Sequence, residues 1–131
     1  MRVLIVGGGI AGMALARVLG PRGVVPTVVE RSVEWPASGT GIYLPGNGAR
    51  AADALGLGDV LAGNGMRVVD GNSFWGGVGP CLGLARDRLH RVLREGIPDG
   101  LVRLGTTVNT VHRDDGPVQV THNTQQDGTK S

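Results

Sequence analysis

Val3-Leu4-Ile5-Val6-Gly7-Gly8-Gly9-Ile10-Ala11-Gly12 holds the information that decides the fold. Val3 to Val6 is a short apolar run closed by glycine, which predicts a strand of a parallel sheet, buried on both faces. From Ile10 to Leu19 the pattern changes to helical spacing, with Ile10, Met13, Ala14, Val18 and Leu19 able to share one face. Gly20-Pro21 predicts the end of that helix. Val24 to Glu30 predicts a second strand, with Pro26 confined to its beginning or to an edge. Strand, glycine turn, helix and strand within about thirty residues make one βαβ unit.

Gly7, Gly9 and Gly12 fill the three positions of a G-x-G-x-x-G turn around Ile10 and Ala11. The first permits a tight turn off the strand. The second lets a pyrophosphate approach the backbone, and the third lets the helix pack close to the sheet. The free N–H groups and positive dipole end of the helix then favour phosphate. Glu30 ends the second strand 18 residues beyond Gly12. A carboxylate there can accept hydrogen bonds from both ribose hydroxyls of an adenosine and repels a 2′-phosphate. The motif by itself is weak, but its setting between strand and helix is the one it requires. The residues therefore predict the adenosine half of a dinucleotide site and leave NAD or FAD open. A loop rich in Gly and Pro over residues 32–48, in place of a direct run into another helix and strand, favours FAD. Arg31 is either a cation at the adenosine edge or an ordinary exposed charge. Arg86 precedes a helix at the end where the dipole disfavours a cation, so an anion beside it would explain its place.

The remaining chain continues the α/β pattern. Asn47 predicts an N-cap for a helix over Ala49 to Leu55, closed by Gly56, and Asp59 a cap for a further turn ending near Gly63. Met66 to Asp70 predicts a strand, and residues 76–83 are again glycine-rich. Asp87 to Glu95 is a helix on the stripe Leu89, Val92 and Leu93. Leu101 to Leu104 is a candidate third parallel strand. Val108 to His112 and Val118 to His122 alternate as antiparallel strands around Asp115-Gly116.

Composition narrows the function. The chain has 131 residues, 24 of them glycine, with 40% apolar, 18% charged and 3% aromatic residues. One domain with an aliphatic core fits this length. Disorder and collagen are excluded by the apolar content and the aperiodic glycines. A single cysteine, Cys81, excludes an intrachain disulfide framework, and it suits a small buried hydrophobe. The net charge of +2 implies no nucleic acid. Arg88, Arg91 and Arg94 predict a solvated helix face. No segment reaches the ~18 apolar residues of a membrane span. The N-terminal stretch could pass for a secretory signal, but three glycines inside it argue against that, and a cytoplasmic protein is expected. His90, His112 and His122 lack metal-ligand spacing, and no G-x-S-x-G elbow supports Ser-His-Asp chemistry.

Val3 to Gly12, Val28-Val29-Glu30-Arg31, Gly39-Thr40-Gly41-Ile42, Gly56-Leu57-Gly58-Asp59, Trp75 to Cys81 and Arg86-Asp87-Arg88-Leu89-His90 occur in one order. In that order the chain resembles the N-terminal part of the class A flavoprotein monooxygenases, over essentially its whole length. The resemblance implies an α/β, Rossmann-like βαβ FAD-binding fold with a parallel sheet and an antiparallel β-meander, residues 1–131 being the N-terminal portion of an FAD-binding domain. It implies FAD in an extended form, NAD(P)H as reductant, and a flavin C4a-hydroperoxide that hydroxylates or epoxidises a small, often aromatic substrate. By position it assigns Gly7, Gly9, Ile10, Ala11 and Gly12 to the pyrophosphate turn, Glu30 to the ribose, and Arg31 to an adjacent adenosine contact. Gly41 falls in the loop that approaches the flavin end, Arg86 at the phosphate–ribitol region, and Val108 where backbone meets adenine. Family members are longer. Their Asp-Gly and Gly-Asp motifs and substrate-binding sheet are not in these residues, and Asp127-Gly128 is not the former motif. The stretch between Asp70 and Trp75 is shorter than in relatives. The chain is therefore expected to be truncated, inactive alone, and open along one edge of its first strand, where self-association or a complementing segment would cover it. Another FAD oxidoreductase, such as a halogenase or reductase, or a non-catalytic nucleotide-binding remnant are the alternatives.

Overall fold

The computed structural model describes residues 1–35, 40–68, 81–113 and 115–125. In chain order the elements are β1 (Val3–Val6), α1 (Ile10–Leu19), β2 (Pro26–Val29), β3 (Gly41–Leu44), α2 (Gly46–Ala54), α3 (Gly58–Asn64) and β4 (Met66–Val68). They continue with β5 (Cys81–Ala85), α4 (Arg86–Arg94), β6 (Val102–Arg103), β7 (Thr106–His112) and β8 (Gln119–Thr124). Short 3₁₀ turns at Gly20–Arg22 and Asp99–Leu101 follow α1 and precede β6. The chain divides into two compact units, Met1–Trp35 with Ile97–Ser131, and Pro36–Gly96.

The first unit is built on a parallel sheet in the order β1-β2-β6. Val3 pairs with Pro26 and Val6 with Val29, while Val28 and Val29 pair with Val102 and Arg103. The third parallel strand expected near Leu101 to Leu104 is thus β6. Pro26 opens β2, the position where its missing N–H costs least. Met13 is fully buried and Ala16 nearly so on α1. Ala16 belongs to the buried stripe although the apolar spacing pointed to its neighbours.

The expectation that Val3 to Val6 is buried on both faces is not met. Ile5 is 6% exposed, but Leu4 is 39% and Val6 60% exposed. Burial of both faces occurs instead on β2, where Val28 and Val29 are covered. Leu4 and Val6 share one face of β1 and Ile5 lies on the other, so only the Ile5 face is covered, whereas the central strand β2 packs against both α1 and β7. β7 and β8 form a separate antiparallel ribbon, in which Asn109 is left over where the register shifts between Val108 and Thr110.

The second unit holds an antiparallel sheet in the order β3-β5-β4. Two of its strands lie where irregular backbone was expected. Gly41–Leu44 falls inside the loop over 32–48, and Cys81–Ala85 begins inside the glycine-rich stretch over 76–83. Both are short and contain a glycine, and they pair with each other: Gly41 opposite Ala85, Leu44 opposite Leu82. Met66–Val68 pairs with the far side of β5, which places the strand expected from Met66. The helix expected after Asn47 begins earlier, at Gly46, with Pro45 as N-cap. Asn47 uses its Oδ1 to accept from the Gly48 N–H rather than to cap. Likewise Leu57, not Asp59, precedes α3. Leu89, Val92 and Leu93 of α4, Leu57 and Leu61 near α3, and Cys81, Leu82 and Leu84 of β5 make the core of this unit. Arg88 and Arg91 are exposed, and Arg91 faces Asp87 at 3.7 Å along the helix. The residues from Trp75 to Pro80, Gly39, and Asp127-Gly128 lie outside the described residues.

Candidate functional site

The turn after β1 is formed as its glycines predict. Gly7 has φ +105°, which an L side chain rarely adopts, and its N–H donates to the Val29 carbonyl at 2.8 Å. Gly12 sits against that turn. A Cβ there would stand 2.0 Å from the Gly7 carbonyl oxygen and 3.3 Å from Ile5 Cγ2. Here the close approach of helix to strand is a contact between backbone and the position of an absent side chain. Gly9 has the opposite surroundings: nothing lies within 4 Å of its Cβ position. It is exposed, in extended backbone, and is the N-cap of α1.

α1 begins without a side-chain cap and without an acid in its first turn. Its first ladder bond runs from the Met13 N–H to the Gly9 carbonyl. The N–H groups of Ile10, Ala11 and Gly12 therefore have no intrahelical acceptor. Glycines leave the space in front of them open, and the helix dipole favours an anion there.

Glu30 lies directly after β2 and is held on both sides. Its Oε2 accepts from the Gly8 N–H at 2.7 Å, and its Oε1 accepts from the Ser32 N–H at 2.9 Å. The backbone is held as well: the Glu30 N–H donates to the Arg103 carbonyl at 2.9 Å, and its carbonyl accepts from Thr106 at 2.8 Å. Burial pushes the Glu30 carboxyl pKa up. Hydrogen bonds from Ser32 and Gly8 and the charge of Arg31 outweigh this and hold it below the ordinary value. The Ser32 side chain donates to the carboxylate as well, and an ionised Glu30 still has lone-pair capacity for a further donor.

The predicted residues fall into two groups. Gly7, Gly9, Ile10, Ala11, Gly12, Glu30, Arg31 and Val108 lie in the first unit, and Gly41 and Arg86 in the second. Arg31 is exposed beside Glu30, and Val108 is half-buried on β7 next to the register shift. Gly41 and Arg86 are brought together across the sheet. Gly41 opens β3 opposite Ala85, and Arg86, the first residue of α4, donates its N–H to the Thr40 carbonyl at 2.9 Å. Sequence separation gave no hint of this pairing. Trp35 is a residue the motif reading passed over. Its ring atoms Cη2 and Cζ3 stand 2.9 Å from the Cβ position of Gly8.

The parallel sheet, the glycine turn and the anchored acid define a Rossmann-like βαβ fold. No family model matches the chain. It is 32% identical over 123 residues to Monooxygenase 1 of Arabidopsis thaliana, covering 86% of this chain and 31% of that protein. It is 43% identical over 60 residues to 3-hydroxybenzoate 6-hydroxylase of Klebsiella oxytoca, covering 46% of this chain and 15% of that one. The fold matches the crystal structure of Klebsiella pneumoniae HpxO complexed with FAD and uric acid, with a TM-score of 0.72 at 23% identity, over 92% of this chain and 34% of that one. The chain matches the N-terminal part of the class A flavoprotein monooxygenases. It spans about a third or less of the length of these relatives. Among the described residues no helix is long and apolar enough to cross a membrane.

Proposed function

We propose that this chain is the FAD-binding segment of an NAD(P)H-dependent flavin monooxygenase that acts on a small aromatic substrate in the cytoplasm. The observation that carries the reading is the open space over Gly9, flanked by free helix N–H groups and by a fixed, ionised Glu30. A group with a diphosphate beside a ribose fits that donor and acceptor set. The backbone N–H groups of Ile10, Ala11 and Gly12 would bind the diphosphate, and Gly7 and Gly9 would let it approach. Glu30 would accept from the ribose hydroxyls, with Arg31 beside the adenosine and the backbone of Val108 at the adenine. Gly41 and Arg86, adjacent in the second unit, would act on the flavin side, Gly41 by admitting the group close to the backbone and Arg86 by its charge. FAD supplies the oxygen-activating chemistry when bound. The residues of this chain bind and orient it.

Support comes from relatives named as monooxygenases and from the FAD in the HpxO structure. The purified chain, incubated with FAD and freed of excess, should retain yellow flavin absorbance. Glu30→Ala and Arg86→Ala should each weaken that retention by about tenfold. Unchanged FAD affinity in both variants would show the cofactor placement to be wrong. In the longer protein, NADPH oxidation stimulated by an aromatic compound would support the hydroxylase reading. Flavin retention without such stimulation would favour a halogenase or reductase.

Among the described residues one side of β1 has no paired strand, and this supports a proposal about partners. Leu4 and Val6 present apolar surface on an edge strand, and such an edge pairs readily with another strand. The edge is covered by a complementing segment or by a second copy of the chain. Size-exclusion chromatography of the chain alone should show concentration-dependent association, reduced by Val6→Lys. A monodisperse monomer of high thermal stability would contradict this.

A further inference from the structure

We infer that Trp35 is part of the adenosine half of the site, where its indole supplies an aromatic wall beside the ribose-binding acid. This rests on the nucleotide reading above and names a residue that the glycine fingerprint does not contain. Gly8 is not one of the three fingerprint glycines, yet it is buried. A Cβ at Gly8 would meet Trp35 Cη2 and Cζ3 at 2.9 Å and Glu30 Cβ at 3.1 Å. The six-membered edge of the indole thus occupies the place of a side chain at Gly8. Glu30 stands on the same spot, and the Gly8 N–H donates to its carboxylate at 2.7 Å. Gly8 and Trp35 are a matched pair, small against large, at the corner where the acid is fixed.

Two further facts separate this arrangement from simple packing. Trp35 is only partly buried, unlike the fully covered side chains of the core. The ring also leaves the approach to the helix start clear, because nothing lies within 4 Å of the Cβ positions of Gly7 and Gly9. A ligand whose diphosphate lies over Gly9 and whose ribose meets Glu30 carries its base past the side chains that surround that acid. Trp35 is a large aromatic group at that place, and a purine stacks favourably on such a surface.

The test uses the 131-residue chain and ADP. The chain has two tryptophans, so Trp75→Phe leaves Trp35 as the sole tryptophan, excited selectively over Tyr43. ADP titrated into that variant should change Trp35 emission with the same midpoint that calorimetry gives for binding. Trp35→Leu should weaken ADP by about tenfold, Trp35→Phe should restore most of the affinity, and Gly8→Ala, which pushes the ring away, should weaken ADP as well. Unmoved emission together with normal ADP binding would overturn the role of Trp35 and leave the nucleotide site standing. ADP affinity unaltered in Trp35→Leu would do the same. Should Trp35→Leu fail to fold, the emission of the Trp75→Phe chain decides alone. Failure of ADP to bind the unmodified chain would overturn the nucleotide reading itself, and the inference with it.

Discussion

Replacing Gly12 by alanine should destabilise the protein by about 3 kcal/mol or more and lower its melting temperature by roughly 10 °C, while alanine at Gly9 should leave it nearly as stable. The added methyl at Gly12 would stand 2.0 Å from the Gly7 carbonyl oxygen. That oxygen belongs to backbone, and Gly7 is locked by its positive φ and by its bond to Val29. Relief requires α1 to move off the sheet, which uncovers the fully buried Met13. At Gly9 no atom lies within 4 Å, and the extended backbone suits any residue. Alanine there costs about 1 kcal/mol at most, as a poorer N-cap. Its effect should fall on binding instead. The methyl would stand where the proposed site admits the diphosphate, so ADP affinity should drop by about tenfold or more. Thermal unfolding with calorimetric ADP titration separates the two. Equal destabilisation by both variants would sink the distinct roles assigned to these glycines.

Glu30→Gln should weaken ADP by about tenfold or more and flatten the dependence of stability on acid pH. The carboxylate accepts from Gly8 and Ser32, and in the proposed site it would also accept from the ribose. An amide replaces one acceptor oxygen by a donor, which then faces an N–H. The loss of stability should be about 1 kcal/mol, since the site is partly exposed to solvent. The sign of the pH effect follows from the lowered carboxyl pKa in the folded protein. Folding then favours the ionised form. The stabilisation is whole above the ordinary carboxylate range and is lost as pH falls through the lowered folded value. Urea unfolding from about pH 6 downward should show this acid-side loss in the unmodified chain and a smaller one in the variant. The charge also disfavours a 2′-phosphate, so the unmodified chain should prefer ADP over its 2′-phosphorylated analogue, and Glu30→Gln should narrow that preference. A variant with the same stability slope and the same preference would remove Glu30 from the ribose position.

Much of the first unit was legible because its determinants are local. The spacing of Gly7, Gly9 and Gly12 specifies a turn within six residues, and the switch to helical spacing begins inside it. Glu30 was legible because it ends a β-branched run at a fixed distance. The helix over Arg86 to Arg94 carried its stripe in three residues, all of which are buried. Less was legible in the second unit. Gly41–Leu44 and Cys81–Ala85 have weak strand signals of their own, and each becomes a strand through the other. Helix starts moved by one to three residues, since Pro45 and Leu57 take the N-cap positions without a capping side chain.

The amino-acid sequence alone determined the βαβ unit, the open glycine turn and the acid that follows, because each is written in residues a few positions apart. Tertiary structure decided what distant residues do to one another. It set Gly41 beside Ala85 and Arg86, left one side of β1 without a paired strand among the described residues, and laid the Trp35 ring over Gly8. These depend on strand order and on side chains meeting across a fold, and a linear pattern carries no term for either.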